Sequence, residues 1–417
     1  MDSPTDTTSI TKVGDGFTGR PHDYLIGNLN HRYQSEKSFF GYHPSVLKSG
    51  MQKYARRAEV QKGLRCLVEM DLFSLLEWNG EALDAYLRKY PKATRKNTQS
   101  AARRIRTNMV NRLVVMMSEE VGISAWWMPV KMLGLYKKWI ENRGGPESRK
   151  YLVDMYLYLT SQRMVRLISD LRSVYLLPPE YEPKHMYDLV QIHKGIQERY
   201  PRIYSGQGKI GQVSWSVDLN GYPSKIHPSI EGIIYNLEAS SDQVYYWIKK
   251  LSDFEKEDKV DKRNRYLKII WNILDRFIDR NPKYEFVRET IHALGYFHAR
   301  MGHKEKPIYL YHAVLLMVRR NEIDWKLKVP SIDTSMAEVD ALYRDHLRDG
   351  RTEMDGYVLD SHTQKMKWSP GCLERFAREG AYVKNEKAKF VNPEYREIYI
   401  HLKQQLDFYH SRGEKLQ

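Results

Sequence analysis

Apolar residues return at helical spacing along most of this chain, and the first clear stripe begins at residue 46. Leu47, Met51, Tyr54 and Ala58 share one face, with Lys53 and Arg56 opposite. The phase then shifts and resumes through Val60, Leu64, Leu67, Val68 and Leu72, which predicts a kink or break near residue 59. A second helix is predicted over 79–90, ending before Pro91, because the residue ahead of a proline disfavours helical geometry. The third covers 94–122, with Ile105, Met109, Leu113 and Met116 on its apolar side and Gly122 as its stop. Two more fall near 128–142 and 147–175, separated by "NRGGPES", whose proline suits a helix start.

"LLPPEYEPKH" at 176–185 breaks this run and marks the first domain boundary. Alternation then replaces helical spacing: Val213, Trp215, Val217 and Leu219 predict one strand or a hairpin. Helical patterns return at 231–251, 260–279, 284–301 and 307–321. From 326 to 390 glycine, proline and aspartate punctuate the chain and no element is predicted, while 392–411 reads as a terminal helix. Residues 1–45 lack periodicity and read as an extended or disordered arm. The fold class is therefore mainly α. A helical bundle over 46–177 is followed by a linker over 178–230 with room for a small β element. A second helical region over 231–325 and a loop-rich segment over 326–417 complete the chain.

At 417 residues the chain is long enough for two to three domains and a large core. Its 41% hydrophobic and 29% charged residues are ordinary for a globular protein, but its charge balance is not. Lys and Arg total 67 against 52 for Asp and Glu, a net charge of +15. The isoelectric point is near 9.4. Such an excess favours polyanionic partners through counterion release, nucleic acid before anionic membrane. Cys66 and Cys372 are the only cysteines, which excludes a disulfide scaffold and a cysteine zinc site. An apolar run such as "LVVMM" at 113–117 is far too short for a membrane span, and the N-terminus lacks a signal pattern. An intracellular protein of the cytoplasm or nucleus is expected, with a particle assembled inside a cell as the alternative, and no membrane partner.

Catalytic motifs fail on spacing or residue type. "SGQGKIGQ" (205–212) lacks the P-loop spacing of lysine followed by serine or threonine. "EMDGYVLDSH" (353–362) resembles a nucleotidyltransferase pattern, but Glu353 stands where the nucleophilic lysine is required. His292, His298, His303 and His312 miss the i, i+4 spacing of a helical zinc pair. No cofactor or metal is expected. Asp355, Asp360, His362 and Glu379 gather only in sequence, so an enzyme reading ranks last. "YYWIKK" and "YLYLTSQRMVR" set rings beside cations, as base stacking needs, yet Trp247 and Leu251 at helical spacing favour core.

The basic tract is the strongest physical signal. Between Asp84 and Glu119 the chain carries no acidic residue but holds Arg88, Lys89, Lys92, Arg95, Lys96, Arg103, Arg104, Arg106 and Arg112. Uncompensated like charges repel, so either a polyanion or remote carboxylates must offset them. Arg104 joins Asn108 and Asn111 on the polar side of the predicted helix. Arg106 and Arg112 lie at or inside the apolar face, where they can snorkel or pair internally. The expected phosphate-contacting set is Lys48, Lys53, Arg56, Arg57, Arg88, Lys89, Lys92, Arg95, Lys96, Arg103, Arg104 and Arg106.

"LKSGMQKYARRAEVQKGLRCLVEMDLF" resembles the first helices after the ATPase core in the RarA/MgsA family of clamp-loader-like AAA+ proteins, through Lys48, Ser49, Arg56 and Leu64. "RTNMVNRLVVMMSEEVG" is similar to the family's next signature in Arg112, Leu113, Ser118, Glu119 and Gly122, with Glu120 and Val121 substituted. "GGPESRKYLVDMYLYLTSQ" matches a Gly-x-Pro-Glu helix through Gly145, Pro146, Glu147, Tyr158 and Leu159, with Thr160 in place of alanine. The resemblance covers 46–175, but no ATPase core precedes it, so ATP hydrolysis is not carried over. It implies an all-helical, oligomerising module that engages replication or repair proteins, of a kind that suggests a large DNA virus or phage. The expected function is non-catalytic nucleic-acid binding, DNA first, in replication, recombination or repair. The rival is a structural virion or assembly protein whose charge neutralises nucleic acid or an acidic neighbour.

Overall fold

Pro44 supplies the fixed φ that a first helical turn needs, and helix α1 (Pro44–Arg56) starts on it. Ala58, at φ +57°, takes the left-handed conformation that ends α1 and lets α2 (Val60–Asp71) fold back on it. This is the break expected near residue 59. Asn79 caps α3 (Gly80–Lys89), its side chain accepting from the Ala82 amide at 2.9 Å. Thr94 caps α4 (Arg95–Met116) in the same way through the Asn97 amide at 3.3 Å. The chain then widens into a π turn over Met117–Val121 and leaves the helix at Gly122, whose φ of +51° suits glycine. Helices α5 (Met128–Glu141) and α6 (Ser148–Thr160) complete the first half. The second half comprises α7 (His227–Glu238), α8 (Val244–Glu257), α9 (Ile269–Arg280), α10 (Arg288–Arg300), α11 (Lys306–Val318) and α12 (Met336–Asp349).

This computed structural model describes residues 38–165, 168, 211–241, 243–259, 266–300, 306–355 and 358. The arm before residue 38, the boundary at 176–185, His303 and the helix expected at 392–411 lie outside the described residues. Among those described the protein is mainly α, with no strand. No described helix is long and apolar enough to cross a membrane.

Four expectations change. The stretch 326–390, where no element is expected, holds α12 (Met336–Asp349), started by a capping box between Ser335 and Glu338. The helix foreseen over 147–175 ends at Thr160, because residues 161–165 turn away to join the 117–125 bend: the Val165 amide donates to the Glu120 carbonyl at 2.8 Å. The single helix foreseen over 231–251 is two, separated by a turn with Ser240 at φ +52°. The alternation at 213–219 marks an extended segment, but its partner is helical. Trp215 is buried, and its indole donates to Glu238 of α7 at 2.8 Å. Period-two burial reports a chain with one face on a core, whatever supplies that core.

One contiguous apolar core runs through both halves. Helix α10 packs on α5, and α11 packs on the 117–125 bend. Within that bend the buried Ser118 hydroxyl meets His312 Nδ1 of α11 at 3.0 Å. Gly63 of α2 faces Tyr156 of α6 so closely that a Cβ would fall 1.6 Å from the phenolic oxygen, which donates to the Met51 carbonyl.

A buried ionic network centres on Asp71, at the end of α2. It accepts from Arg106 Nε at 3.0 Å and from the Tyr343 hydroxyl at 2.9 Å, with Arg149 Nε at 3.7 Å. Burial pushes the Tyr343 hydroxyl far up, and Asp71 adds to that, so the phenol stays a donor. Arg106 also donates to Glu77 at 3.1 Å, to the Arg143 carbonyl at 3.0 Å and to Ser148 at 2.7 Å. Burial alone would lower the Arg106 pKa, but Asp71 and Glu77 outweigh it and raise it. Arg106→Met should therefore cost about 3–5 kcal/mol of unfolding free energy in urea, since it takes from buried Asp71 its nearest cation and from Glu77 one of three. A loss under about 1 kcal/mol, the range of an exposed pair, would show that the network is dispensable.

Burial pulls the His312 imidazole down to about 3, against a smaller upward effect of its hydrogen bond with the Gly122 backbone. The unfolded chain takes up that proton near the usual 6.5 and the folded one only near 3, so stability is retained above 6.5 and lost below it. The loss approaches about 1.4 kcal/mol per pH unit between those values. Urea midpoints measured from pH 7 to 4 should fall more steeply for the parent than for His312→Gln.

Candidate nucleic-acid interface

The acid-free tract folds as α3, a short loop and α4, and folding sorts its cations into two populations. The inward-facing cations meet carboxylates drawn from elsewhere in the chain. Arg106 is wholly buried in the Asp71 and Glu77 network. Arg103, though 70% exposed, still reaches Glu77 at 3.2 Å. Arg112 is half-buried beside Gln52 at 3.3 Å and Glu119 at 4.0 Å. Arg143, from the α5–α6 loop, also uses Glu77, at 2.8 Å, and lies 4.7 Å from the Trp139 ring.

Four of the outward-facing cations remain uncompensated. Arg88, Lys92, Lys96 and Arg104 are exposed and have no carboxylate partner among the described residues. Lys89 is exposed beside them, and Arg95 is exposed but paired with Asp84. Local physics sharpens this edge. Arg95 and Lys96 occupy the first turn of α4, which holds no acid, so two cations sit at the positive end of the longest described helix. A protein selected only for stability would place carboxylates there; an anion-binding one gains from the reverse.

The four cations expected near α1 do not join this edge. Lys53, Arg56 and Arg57 are buried and Lys48 is half-buried. Arg56 donates through Nε to Glu120 at 2.6 Å, tying the end of α1 to the π turn. With Arg106, these four are withdrawn from the phosphate-contacting set, because burial, partial for Lys48, takes them off any backbone path. The exposed set is thus Arg88, Lys89, Lys92, Arg95, Lys96, Arg103 and Arg104.

Other candidates disperse. Tyr156, Tyr158, Tyr245 and Trp247 are core residues rather than stacking platforms. His292 pairs with Asp275, His298 lies against Trp271, and His312 faces Ser118, all in different surroundings. Among the described residues no three metal-ligating side chains converge. Asp355 pairs with Lys62 at 3.0 Å, while Asp360, His362 and Glu379 lie outside the described residues. Glu77 and Arg143 carry no sequence signal for this role, because nothing in their spacing links them to α4.

No protein-family model, curated protein or solved structure matches this chain. Lys96→Glu should raise thermal stability by about 0.3–1 kcal/mol at low salt, by placing an anion at the α4 N-terminus, and the gain should fade in high salt. An unchanged or lower melting temperature at low salt would contradict this electrostatic picture.

Proposed function

We propose that this protein binds nucleic acid through its sugar–phosphate backbone, without base-specific readout at the basic edge and without chemistry on the strand. The supporting observation is the sorting just described. Arg88, Lys92, Lys96 and Arg104 project from α3, the loop and α4 with no carboxylate among the described residues, while neighbouring arginines are neutralised. Paired arginines hold the helices together, and the free ones remain for a polyanion. The net charge of +15 supplies long-range attraction of the same sign. A role in DNA replication, recombination or repair, alongside proteins of those assemblies, rests on the sequence resemblance of residues 46–175.

Fluorescence anisotropy with a labelled DNA duplex at stepped salt concentrations tests this reading. Affinity should fall steeply with salt, and the quadruple variant R88E/K92E/K96E/R104E should flatten the slope by about 0.9 for each phosphate it no longer neutralises. Because all four side chains are exposed, urea stability should change little. Salt-insensitive binding, or an unaltered slope in the variant, would refute the proposal.

A further inference from the structure

Away from the basic edge, α5 and α10 leave a cleft of about 350 Å³ between them. That volume lies at the small end for ligand pockets and accommodates one nucleotide-sized molecule. One wall is a stripe of α5 and its lead-in: Trp127, Lys131, Gly134 and Lys138. The opposite wall carries Phe286, Glu289 and Thr290. Phe286 keeps 45% of its surface exposed, and Val329 at the rim 49%; both are among the few large apolar side chains left open in the described residues. Phe286 packs edge-to-face against Trp126 at 5.2 Å and Trp325 at 5.3 Å.

Three buried polar groups of the cleft are unpartnered. Thr290 is wholly buried, yet its hydroxyl has no hydrogen-bond partner among the described residues. The indole nitrogens of Trp126 and Trp127 share that state. All three atoms are closed to solvent, so they lie behind the surface of the cleft rather than on it. Lys131 and Lys138 line the cleft from α5, the Lys131 ammonium 4.8 Å from the Tyr158 ring centre, and Glu289 lines it from α10. A ligand that fits this lining has a flat ring for Phe286, a donor edge for Glu289, and an anionic group for Lys131 and Lys138.

We infer that this cleft binds a single nucleotide with an amino-bearing base, the ring against Phe286, the exocyclic amine toward Glu289, and the phosphate between Lys131 and Lys138. Free mononucleotide and an unpaired residue of a single strand share this chemistry. The inference does not rest on the basic edge.

Gly134 makes the test clean. A Cβ there meets nothing within 4 Å, so a larger side chain fills the cleft without strain, and leaving glycine favours the helix. Calorimetric titration of the full chain with adenosine 5′-monophosphate should show saturable binding, weakened at least tenfold by Gly134→Leu in a protein that melts no lower. Thr290→Val keeps the shape and removes a hydroxyl closed to the cleft, so it should leave both affinity and stability undiminished. Glu289→Gln should narrow the preference for adenosine over uridine monophosphate. A short single-stranded oligonucleotide that binds tighter, with the same Gly134→Leu sensitivity, identifies the strand as the source; equal affinities identify the free nucleotide. The quadruple variant of the basic edge should leave mononucleotide binding intact, which separates this inference from duplex binding. Absence of saturable binding, indifference to Gly134→Leu, inorganic phosphate binding as well as the nucleotide, or an acidic peptide binding in its place would each overturn it.

Discussion

Asp71 is the group on which the described structure most depends. A carboxylate taken out of water is destabilising by several kcal/mol unless cations and donors surround it. Here the surround comes from three helices: Arg106 from α4, Arg149 from α6 and Tyr343 from α12. Glu77 repeats the arrangement further along the chain with Arg103, Arg106 and Arg143. Arginine suits this role better than lysine, because a planar fork can serve two carboxylates, a carbonyl and a hydroxyl at once. Arg106 does so. Helices that share only apolar faces could slide; these are fixed in register by directional bonds.

The same network explains why one side of the protein stays so basic. Asp71, Glu77, Glu119 and Glu120 are withdrawn from solvent, each facing an arginine or within reach of one. Carboxylates committed to the interior are not available to neutralise α3 and the outer face of α4. The basic edge is therefore linked to how the core is held together, and a binding surface of this kind needs no separate architecture. The α5–α10 cleft differs in origin. It arises where two helices leave room beside Gly134, and its charges are mixed rather than of one sign.

Much of the helical layout was legible because its determinants are local. The phase shift at 59, Asn79 and Thr94 as caps, and Gly122 as a stop all act within a few residues. The remainder is mostly non-local. Nothing near residue 160 tells that the chain must bend to meet the Glu120 carbonyl. Helix α12 did carry a local signal, the capping box of Ser335 and Glu338, which the surrounding glycine- and aspartate-rich stretch obscured. For the interface, composition located the acid-free tract but not its sorting. Arg106 and Arg104 are two positions apart, and only tertiary structure decides that one is enclosed and the other open. The cleft was invisible, because Trp126 and Phe286 are far apart in sequence and meet through packing alone.

Helix α12 closes contacts that the first residues of the fold leave open. Tyr343 completes Asp71, and His346 meets Glu69 at 2.8 Å while the Phe40 amide takes the other Glu69 oxygen. The Thr352 amide, just beyond the helix, donates to Tyr42. These pairs join residues separated by 272 to 310 positions. During synthesis the amino-terminal helices emerge long before their partners, with two carboxylates incompletely satisfied. They cannot reach their final buried state until residues near 350 have left the ribosome. A chain built this way has no early, finished half; its beginning is completed by a segment made near its end.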